Sequence, residues 1–453
     1  MKIVFANPPV FRWKNDSPRN DLRLINPRLA LACSPYRGLR RISSFFIKHN
    51  KNVRFGVRAG SRWPWTMSTP LKKGAPYPFF MGYSAALLRS KGFNATIIDY
   101  VARNNVSYKQ FIAEVKAENA DIVVLECSTP TVDIDLWMAE EIARFTRVAL
   151  AGPHITSNYE QMSQAYPFVT FWLKGEYIAS SLKMAQTQTT GVYESEVIRD
   201  LDSIPFPFRD YNGGHNYYDP TMPTPEPQLQ IYASKGCPFQ CTFCLWPQTM
   251  YNRVTALREP GKILEEIKEN VRQFGYKSIF FDDDTFNIGE DRISKLCDGL
   301  KDLGLPWTMM GRLDCSSSRL FDKMVSSGCV GMRFGIETFN LDVLKSIKKG
   351  IERVDFRQTL TYLAKNYTEL MLHLTMMRDI PGQNEAIHTE DMQILKDLGF
   401  TTTDMRRSYQ LSRCAPFPGT EMYNDLIKSG HGETLDDFSK YDGGQETVTK
   451  EVK

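Results

Sequence analysis

Several features that mark membrane or secreted proteins are missing from this sequence. No run of about 18 apolar residues occurs among its 453 residues, so a membrane-spanning helix is not expected. Residues 1–6 enter a strand-like run directly, without the long apolar segment and small-residue cleavage site of a secretory signal. The nine cysteines, three of them in one motif, do not resemble a disulfide framework. The sequence therefore predicts a cytoplasmic protein in a reducing compartment.

Acidic residues are nearly absent from residues 12–73. This segment has fifteen Lys or Arg against two acids, a net +13, whereas the whole chain carries +4 and the remainder therefore −9. Its basic residues alternate with Phe45, Phe46, Trp63 and Trp65. One interpretation is a solvated basic face, and the other is binding of phosphate or carboxylate with aromatic stacking. No nucleic-acid recognition motif occurs, so we expect a small-molecule or carrier-linked anionic substrate, with peripheral membrane contact through 12–73 as an alternative.

Three cysteines lie close together with the spacing C-x3-C-x2-C, namely Cys237, Cys241 and Cys244. Three thiolates can hold three irons of a cubane [4Fe–4S] cluster and leave the fourth iron open to a small molecule. A structural zinc site needs a fourth ligand, usually from a second C-x2-C pair, but the sequence has no such pair and no histidine between His215 and His373. Free buried thiols would have no reason to cluster. The spacing predicts an iron–sulfur cluster with an open iron.

Strand-like and helix-like segments alternate through the first part of the chain. The predicted strands are 2–6, 95–99, 122–125, 148–150 and 169–173, and the predicted helices are 81–91, 107–119 and 133–146. The strands end in small or polar residues, which is typical of a doubly wound α/β domain with a parallel sheet. Ligands of such domains bind beyond the carboxyl ends of the strands.

Six βα-type units follow a proline-rich stretch. The predicted strands are 229–233, 278–281, 307–312, 330–337, 370–377 and one near 406–411, and the predicted helices are 260–273, 290–303, 318–327, 353–366 and 386–398. Six units are too few for a closed eight-stranded barrel, so we predict an open, partial (β/α)6 barrel of the TIM type. The predicted organisation is a Rossmann-like domain at 1–200 with a basic insert at 12–75, a linker at 201–228, the barrel at 229–437 and a polar, frayed tail at 438–453.

The cysteine motif, with the aromatic Phe243 just before its last cysteine, resembles that of the radical S-adenosylmethionine (SAM) enzymes. In that family the open iron chelates the amino and carboxyl groups of SAM, and an electron from the cluster cleaves SAM to a 5′-deoxyadenosyl radical. The resemblance covers about 200 residues and implies that Phe243 packs beside the adenine. It also implies a flavodoxin- or ferredoxin-type electron donor.

The resemblance implies further SAM contacts where the barrel strands end. Asp282, Asp283 and Asp284 take the place of a Gly-Gly-Glu segment found in many members, and a carboxylate there would accept hydrogen bonds from the SAM ammonium. Arg312 would pair with the SAM carboxylate or with the substrate, and Glu337 would contact SAM, for example at the ribose hydroxyls. Helix capping is the alternative for Asp284 and Glu337.

Two further side chains flank the expected mouth of the barrel. Cys315 and His373 are candidate catalytic residues, because either could donate or accept a proton or a hydrogen atom. The alternatives are an inert thiol and a hydrogen-bonded core histidine, which are the commoner roles of such residues.

Residues 1–200 resemble the cobalamin-binding domains that precede the barrel in a large subclass of these enzymes. Matching motifs occur, in order, at 7–9, 87–93, 126–129, 151–154 and 174–176. The cobalamin contacts that the resemblance implies are Asn7, Pro8, Ser128, Thr129, Trp137, Gly152, His154, Gly175 and Glu176. A cobalt-ligating histidine motif is absent after the first strand. His154 is alternatively a hydrogen-bonded loop histidine, and Trp137 a core aromatic.

Together these resemblances predict a cobalamin-dependent radical SAM enzyme, with methyl transfer to an unactivated carbon as its reaction. Cyclisation, ring rearrangement or oxygen insertion on the same cofactors is an alternative. A non-catalytic corrinoid or iron–sulfur carrier is another, although an open iron favours SAM chemistry.

Overall fold

The structure, a computed structural model, describes residues 1–9, 11–13, 53–56, 66–67, 75–105, 107–351, 354–438 and 441. Most of segment 12–73 lies outside these residues, so its predicted anion binding stays a prediction. Three short antiparallel strands are described in that region, Phe11–Trp13, Val53–Gly56 and Thr66–Met67.

The first domain is a six-stranded parallel sheet with helices on both faces. Its strands are β1 (Lys2–Asn7), β2 (Asn94–Asp99), β3 (Ile122–Glu126), β4 (Arg147–Ala151), β5 (Phe171–Lys174) and β6 (Gly191–Glu194). They lie in the order β2-β1-β3-β4-β5-β6. The helices are α1 (Phe79–Ser90), α2 (Tyr108–Ala117), α3 (Val132–Ala143), α4 (Pro153–Ala165) and α5 (Tyr177–Thr187). The predicted doubly wound fold is confirmed.

Burial on both faces explains why continuous apolar runs form the central strands. All five residues of β3 are buried, as are the last four of β4. One apolar layer holds α1 and α5 against the sheet, and the other holds α2, α3 and α4. The short edge strand β6 was not predicted, because only Tyr193 of its four residues is buried.

The second domain is the predicted partial barrel. Its strands are β7 (Gln228–Ile231), β8 (Ser278–Phe281), β9 (Trp307–Gly311), β10 (Cys329–Glu337), β11 (Met371–Arg378) and β12 (Arg407–Arg413). All are parallel and adjacent in sequence order. Functional side chains of such barrels lie at the carboxyl ends of the strands.

Nine helices are described after β6. They are α6 (Leu245–Thr249), α7 (Pro260–Phe274), α8 (Glu290–Leu303), α9 (Ser318–Ser326), α10 (Leu341–Ser346), α11 (Phe356–Asn366), α12 (Glu385–Asp397), α13 (Glu421–Lys428) and α14 (Gly432–Leu435). The prediction missed the short helices α6, α10, α13 and α14. Within the described ranges, no helix is long and apolar enough to cross a membrane.

The predicted linker, residues 201–228, is packed between the domains. Arg209 is 3% exposed, and its guanidinium lies 4.0 Å from the centre of the Tyr77 ring. Asp219 reaches into the barrel and accepts a hydrogen bond from Arg333 at 2.6 Å. The prolines and aromatics that suggest a boundary therefore belong to a buried connection.

The two domains meet through aromatic side chains next to the cysteine loop. Phe79 on α1 stacks on Tyr232 with ring centres 3.6 Å apart, and Phe80 stacks on Trp246 at 5.2 Å. Trp246 lies on α6, directly after the last cysteine of the motif. The first domain thus contacts the element that carries the cysteines.

Two of the last described residues are packed rather than frayed, Phe438 half-buried and Tyr441 buried. Tyr441 is fully buried against Phe417, and the Phe438 ring contacts the His154 ring at 4.7 Å. The prediction of a frayed tail from residue 438 is wrong for Phe438 and Tyr441, because their two rings bury apolar surface within otherwise polar sequence.

Candidate functional site

The cysteine loop leaves the end of β7 through a turn that requires glycine. Gly236 has a φ of +76°, and a Cβ atom there would lie 2.1 Å from the carbonyl oxygen of Val254. The Gly236 backbone N–H donates a hydrogen bond to Asp284 Oδ2 at 2.9 Å. This turn directs the chain into Cys237.

The three predicted cluster ligands line one cavity at the carboxyl ends of the barrel strands. Cys237, Cys241 and Cys244 surround a cavity of about 150 Å³, and none of them forms a disulfide. Burial raises the pKa of Cys237 and of Cys244, so a bound cation is needed to hold these thiolates at neutral pH. Three such sulfur donors fit an iron–sulfur cluster. Among the described residues, no group of three or more His, Cys, Asp or Glu converges closely enough for a single metal ion.

Four of the six predicted SAM contacts lie in the same cavity. They are Phe243, Asp284, Arg312 and Glu337. Phe243 is 3% exposed and packs in an apolar cluster with Cys241. These four side chains therefore share one cavity with the cysteines, and their contacts with SAM stay a prediction.

The other two aspartates of the run lie outside the cavity lining. The Asp283 carboxylate accepts hydrogen bonds from the Ala233 backbone N–H at 3.1 Å and from Ser234 Oγ at 2.5 Å. Asp282 is 8% exposed, and its backbone N–H donates to the Ile231 carbonyl. Asp283 thus anchors the start of the cysteine loop, and the predicted SAM contacts of Asp282 and Asp283 stay predictions.

Glu337 ends β10 in a conformation that is costly for a side chain with a Cβ atom. Its φ is +68°, and the pairing of β10 with β11 is irregular between Gly335 and Glu337. Lys349 Nζ donates to Glu337 Oε1 at 2.7 Å. Burial opposes the charge of Lys349, but Glu337 and the Cys241 thiol outweigh it and raise the Lys349 pKa. Strain held by a buried ion pair is typical of a functional position.

Arg312 is already engaged within the protein. Its guanidinium donates two hydrogen bonds to Asp314, at 2.9 and 2.8 Å, and one to the Lys349 carbonyl at 2.9 Å. It also stacks on the Phe239 ring at 3.6 Å. Arg312 thereby holds the cysteine loop against the barrel while lining the cavity.

The two candidate catalytic residues lie outside the cavity lining. Cys315 is close enough to Cys237 to interact electrostatically, and burial raises its pKa to about 12. His373 has both ring nitrogens partnered, Nδ1 with Ser408 Oγ at 2.8 Å and Nε2 with Gln410 Oε1 at 3.2 Å. Burial lowers the His373 pKa to about 4, so the ring is neutral near pH 7.

Sequence reasoning missed five polar residues of the cavity. They are Thr285, Lys349, Arg333, Thr375 and Gln410. The last three lie on strands, where the alternation of side chains turns them inward. Polar residues at alternate positions of a strand otherwise expected to be buried were the available signal. Lys349 lies in the turn after α10, and no pattern in the sequence indicated its role.

At the edge of the first sheet, Asn7 is engaged with neighbouring side chains. Its Nδ2 donates to Asp99 Oδ1 at 3.0 Å, and Tyr217 donates to Asp99 Oδ2 at 2.8 Å. Burial raises the pKa of Asp99. Pro8, which follows, is also buried. This corner joins the sheet to the interdomain stretch, and both cobalamin assignments stay predictions.

The ends of β3 and β4 form a compact corner. Gly152 has a φ of +104°, and a Cβ atom there would lie 2.6 Å from the Cys127 carbonyl oxygen. Ser128 and Thr129 are buried, and Thr129 Oγ1 lies 3.2 Å from His154 Nδ1. Burial lowers the His154 pKa to about 3, so the imidazole is neutral.

A groove of about 260 Å³ opens beside His154 between α3 and α4. It is lined by Val132, Asp133, Leu136, His154, Asn158, Gln161, Met162, Ala165, Tyr166 and Phe438. This mixture of apolar, amide and imidazole groups fits the amide-bearing periphery or nucleotide tail of a cobalamin. The groove is too small for the whole cofactor, so it could accept only the periphery or the nucleotide tail.

Two of the predicted cobalamin contacts have other partners. Lys235 forms a fully buried ion pair with Glu176, which also accepts from the Ile198 backbone N–H at 2.5 Å. We therefore reassign Glu176 from cobalamin to the domain interface. Gly175 is engaged within the first domain, since its N–H donates to Thr156 Oγ1 at 2.9 Å, and its cobalamin contact stays a prediction.

Trp137 lies on α3, half-buried, with its ring edge-to-face against Tyr108 at 5.5 Å. This contact joins α3 to α2 and supports the interpretation as a packing aromatic.

Residues 231–393 match the family model of the radical SAM superfamily. An uncharacterized methyltransferase of Pyrococcus horikoshii is 24% identical over 299 residues, which are 60% of this chain and 63% of the relative. An anaerobic magnesium-protoporphyrin IX monomethyl ester cyclase of Rubrivivax gelatinosus is 22% identical over 397 residues, 80% of this chain and 68% of the relative. The chain spans less than two thirds of the length of several curated relatives.

A solved structure with a similar fold is the radical SAM methyltransferase TsrM of Kitasatospora setae, with cobalamin and a [4Fe–4S] cluster bound. It has a TM-score of 0.61 and 16% identity, and the match covers 79% of this chain and 76% of TsrM. Radical SAM domains use a [4Fe–4S] cluster and SAM, and the three cysteines of this chain line one cavity. The chain thus contains a radical SAM domain at residues 231–393, and its two-domain fold is similar to that of TsrM.

Proposed function

We propose that this protein is a cobalamin-dependent methyltransferase that methylates an unactivated carbon of an anionic small molecule or conjugated metabolite. The observation that carries the proposal is one cavity lined by three unpaired cysteines and by the Glu337–Lys349 pair, beside an interface with a Rossmann-like domain. The cavity supports binding of a cluster and SAM, and the neighbouring domain supports a second cofactor opposite them.

Within the cavity, charge separates the roles of the side chains. The thiolates of Cys237, Cys241 and Cys244 would hold the cluster. Glu337 would accept hydrogen bonds from SAM hydroxyls. Lys349 would neutralise the Glu337 carboxylate or the carboxylate of SAM. The bound groups supply the radical and the methyl carrier, whereas the protein orients them and excludes water.

In the first domain, Ser128, Thr129, Gly152 and His154 would contact cobalamin around the compact corner of β3 and β4. The neutral His154 imidazole can donate or accept one hydrogen bond there without adding charge. We further propose a flavodoxin- or ferredoxin-type reductant and a cytoplasmic setting, which the cluster chemistry requires.

The test uses the full chain, anaerobically reconstituted with iron, sulfide and cobalamin. It is incubated with a strong reductant, a metabolite extract and SAM carrying a deuterated methyl group, and the products are followed by mass spectrometry. We expect S-adenosylhomocysteine and 5′-deoxyadenosine together with a deuterium-labelled metabolite. Absence of SAM cleavage would leave only a carrier role and would reject the proposal.

A cyclase or other non-methylating enzyme is the second candidate. It is favoured by the alignment with the Rubrivivax cyclase, which extends over 80% of this chain and therefore includes both domains. The same experiment separates the two, since a non-methylating enzyme forms 5′-deoxyadenosine without S-adenosylhomocysteine.

A further inference from the structure

The interior of the barrel below the cysteines is polar. Strand pairing places Met310, Arg333, His373 and Ser408 side by side on four adjacent strands. Two residues nearer the carboxyl ends, Gly335, Thr375 and Gln410 form the next layer. Barrels of this kind normally fill such layers with branched apolar side chains. Polar side chains in these layers therefore suggest that the interior binds a ligand as well as packing the barrel.

Arg333 stands in the cavity and is held from below by the interdomain stretch. Its Nη2 donates to Asp219 Oδ2 at 2.6 Å and to Thr221 Oγ1. Asp219 itself is fixed by a hydrogen bond from its backbone N–H to Gln228 Oε1 at 2.8 Å. The Arg333 Nε–H is buried without a hydrogen-bond partner among the described residues. A buried donor beside a cavity calls for a bound acceptor.

Gln410 is oriented by the neutral His373. Its Oε1 lies 3.2 Å from His373 Nε2, while Ser408 Oγ lies 2.8 Å from the other ring nitrogen. With Oε1 bonded to His373, the two amide N–H groups of Gln410 remain as donors beside the cavity that it lines. Arg333 and Gln410 lie in successive layers of the barrel interior, and together they form what we call the donor floor, a surface that offers N–H groups to the cavity.

We propose that the donor floor binds a carboxylate of the substrate and is the specificity determinant of the proposed reaction. The unpartnered Nε–H of Arg333 and an amide N–H of Gln410 can donate one hydrogen bond to each oxygen of a planar carboxylate. The inference rests on the proposed function, because it takes the cavity below the cysteines as the substrate site.

A phosphate fits the donor floor less well than a carboxylate. Asp219 already neutralises the Arg333 charge, and the other cations of the described cavity lining are also paired, Lys349 with Glu337 and Arg312 with Asp314. A dianion there would be repelled by Asp219, whereas a singly charged carboxylate gains both donors with less repulsion.

The test measures binding of matched probes to the full, anaerobically reconstituted chain with SAM. The probes are carboxylates and their primary amides, from acetate and acetamide to 3-phenylpropionate and 3-phenylpropionamide, with phenyl phosphate as a further arm. We expect at least one carboxylate to bind about 10-fold or more tightly than its amide and than phenyl phosphate. Arg333→Gln should bring the acid-to-amide ratio close to one.

Two further variants make the result specific. Gln410→Glu adds a negative charge to the donor floor, so it should weaken binding of the acid about 10-fold and leave the amide unchanged. The matched control Arg378→Gln removes an arginine at the rim that pairs with Asp379 and Glu385, and it should keep the full ratio. Iron content verifies that each variant is folded and loaded.

The outcomes separate the inference from the function on which it rests. Equal binding of acids and amides to the wild type, tighter binding of phenyl phosphate, or an unchanged ratio in both floor variants would overturn the donor floor. Reductive cleavage of SAM by the wild-type protein without any probe tests the proposed function independently. Cleavage without acid selectivity rejects only the donor floor, and selectivity without cleavage rejects only the proposed function.

Discussion

The two parallel sheets use their strand ends differently. At the carboxyl edge of the barrel, three cysteines, Glu337 and Gln410 surround an open cavity. At the edge of the first sheet, Asn7 and Glu176 are bound to other parts of the protein. Polar side chains at the barrel edge thus line a cavity that a ligand can enter. Those at the edge of the first sheet are hydrogen-bonded or ion-paired across the contact between the domains. A strand-end polar residue is therefore a weaker guide to function in a domain that must dock on another.

The sharpest way to test this comparison is to remove the cysteines. Replacing Cys237, Cys241 and Cys244 together by serine should abolish the cluster, because serine lacks the thiolate that iron requires. We expect iron and sulfide to fall to background and SAM cleavage to be lost, with the far-ultraviolet circular dichroism unchanged. A fully loaded triple variant would refute the ligand assignment.

The next largest effect is expected at the domain interface. Lys235→Met leaves the Glu176 carboxylate buried without its partner, and such a change costs about 3–5 kcal/mol. Burial lowers the pKa of Lys235 and raises that of Glu176, so both charges depend on the pairing. Urea unfolding measures the loss.

The matched control for that experiment is an ion pair on the surface of the same domain. Lys174 pairs with Glu194 at 2.8 Å, and the Glu194 side chain is 73% exposed. Lys174→Met should cost no more than about 1 kcal/mol. Similar losses in both variants would show that the buried pair has no special role in docking.

Glu337→Gln tests the barrel edge as a ligand site. Loss of the carboxylate should raise the Kd for SAM about 10- to 100-fold, since a charge-assisted hydrogen bond contributes about 1.5–3 kcal/mol. Equilibrium binding to the reconstituted protein is the measurement. Glu369→Gln, at an exposed side chain paired with Arg406, serves as the control. Unaltered SAM affinity in the first variant would remove Glu337 from the site.

Each domain contains a buried histidine, so the loss of folding stability at low pH can be compared between the domains. The folded pKa is lowered from 6.5 to about 3 for His154 and to about 4 for His373, so the unfolded chain takes up the proton first as pH falls. The contribution of each neutral histidine to the free energy of unfolding is fully present above about pH 6.5 and is lost on acidification. Between pH 7 and 5.5, each histidine should lower the free energy of unfolding by about 1.3 kcal/mol.

Glutamine variants at the two positions separate these contributions. His154→Gln and His373→Gln should each reduce the pH dependence of urea unfolding by that amount. A wild-type protein with the same stability at pH 7 and 5.5 would contradict the burial of both rings.

The smallest effect is expected at Trp137. Its edge-to-face contact with Tyr108 contributes about 0.5–1.5 kcal/mol, so Trp137→Phe should lower stability by about that much or less. Cobalamin affinity, followed by the visible spectrum, should stay unchanged. A weakened affinity would instead support the predicted contact with the corrin.

Most of the fold could be predicted because it depends on local patterns. Strand Ser278–Phe281 and helix Glu290–Leu303 have the predicted bounds, since an apolar run and an amphipathic repeat are visible in the sequence itself. The short helix Leu341–Ser346 was missed because its six residues carry too little periodicity. Its place is set by packing of Val343 beside Cys241 and Phe243.

The site was predicted where chemistry is concentrated in a motif and missed where it is distributed. Three cysteines within eight residues are recognisable alone, whereas Arg333 and Gln410 are 77 residues apart and meet only across the sheet. Glu176 was misjudged for the converse reason. Its strand-end position is that of a ligand residue, but its partner Lys235 lies 59 residues away in the other domain.

The packing of residues 201–228 limits how this protein can be recombined. Asp219 and Thr221 belong to the stretch that joins the domains, yet they hold Arg333 inside the barrel. A chimera joined after residue 228 would replace Asp219 and Thr221 by residues of another protein, even if every barrel residue were kept. Exchange of first domains between related proteins therefore needs a junction before residue 201, so that residues 201–228 stay with the barrel they contact.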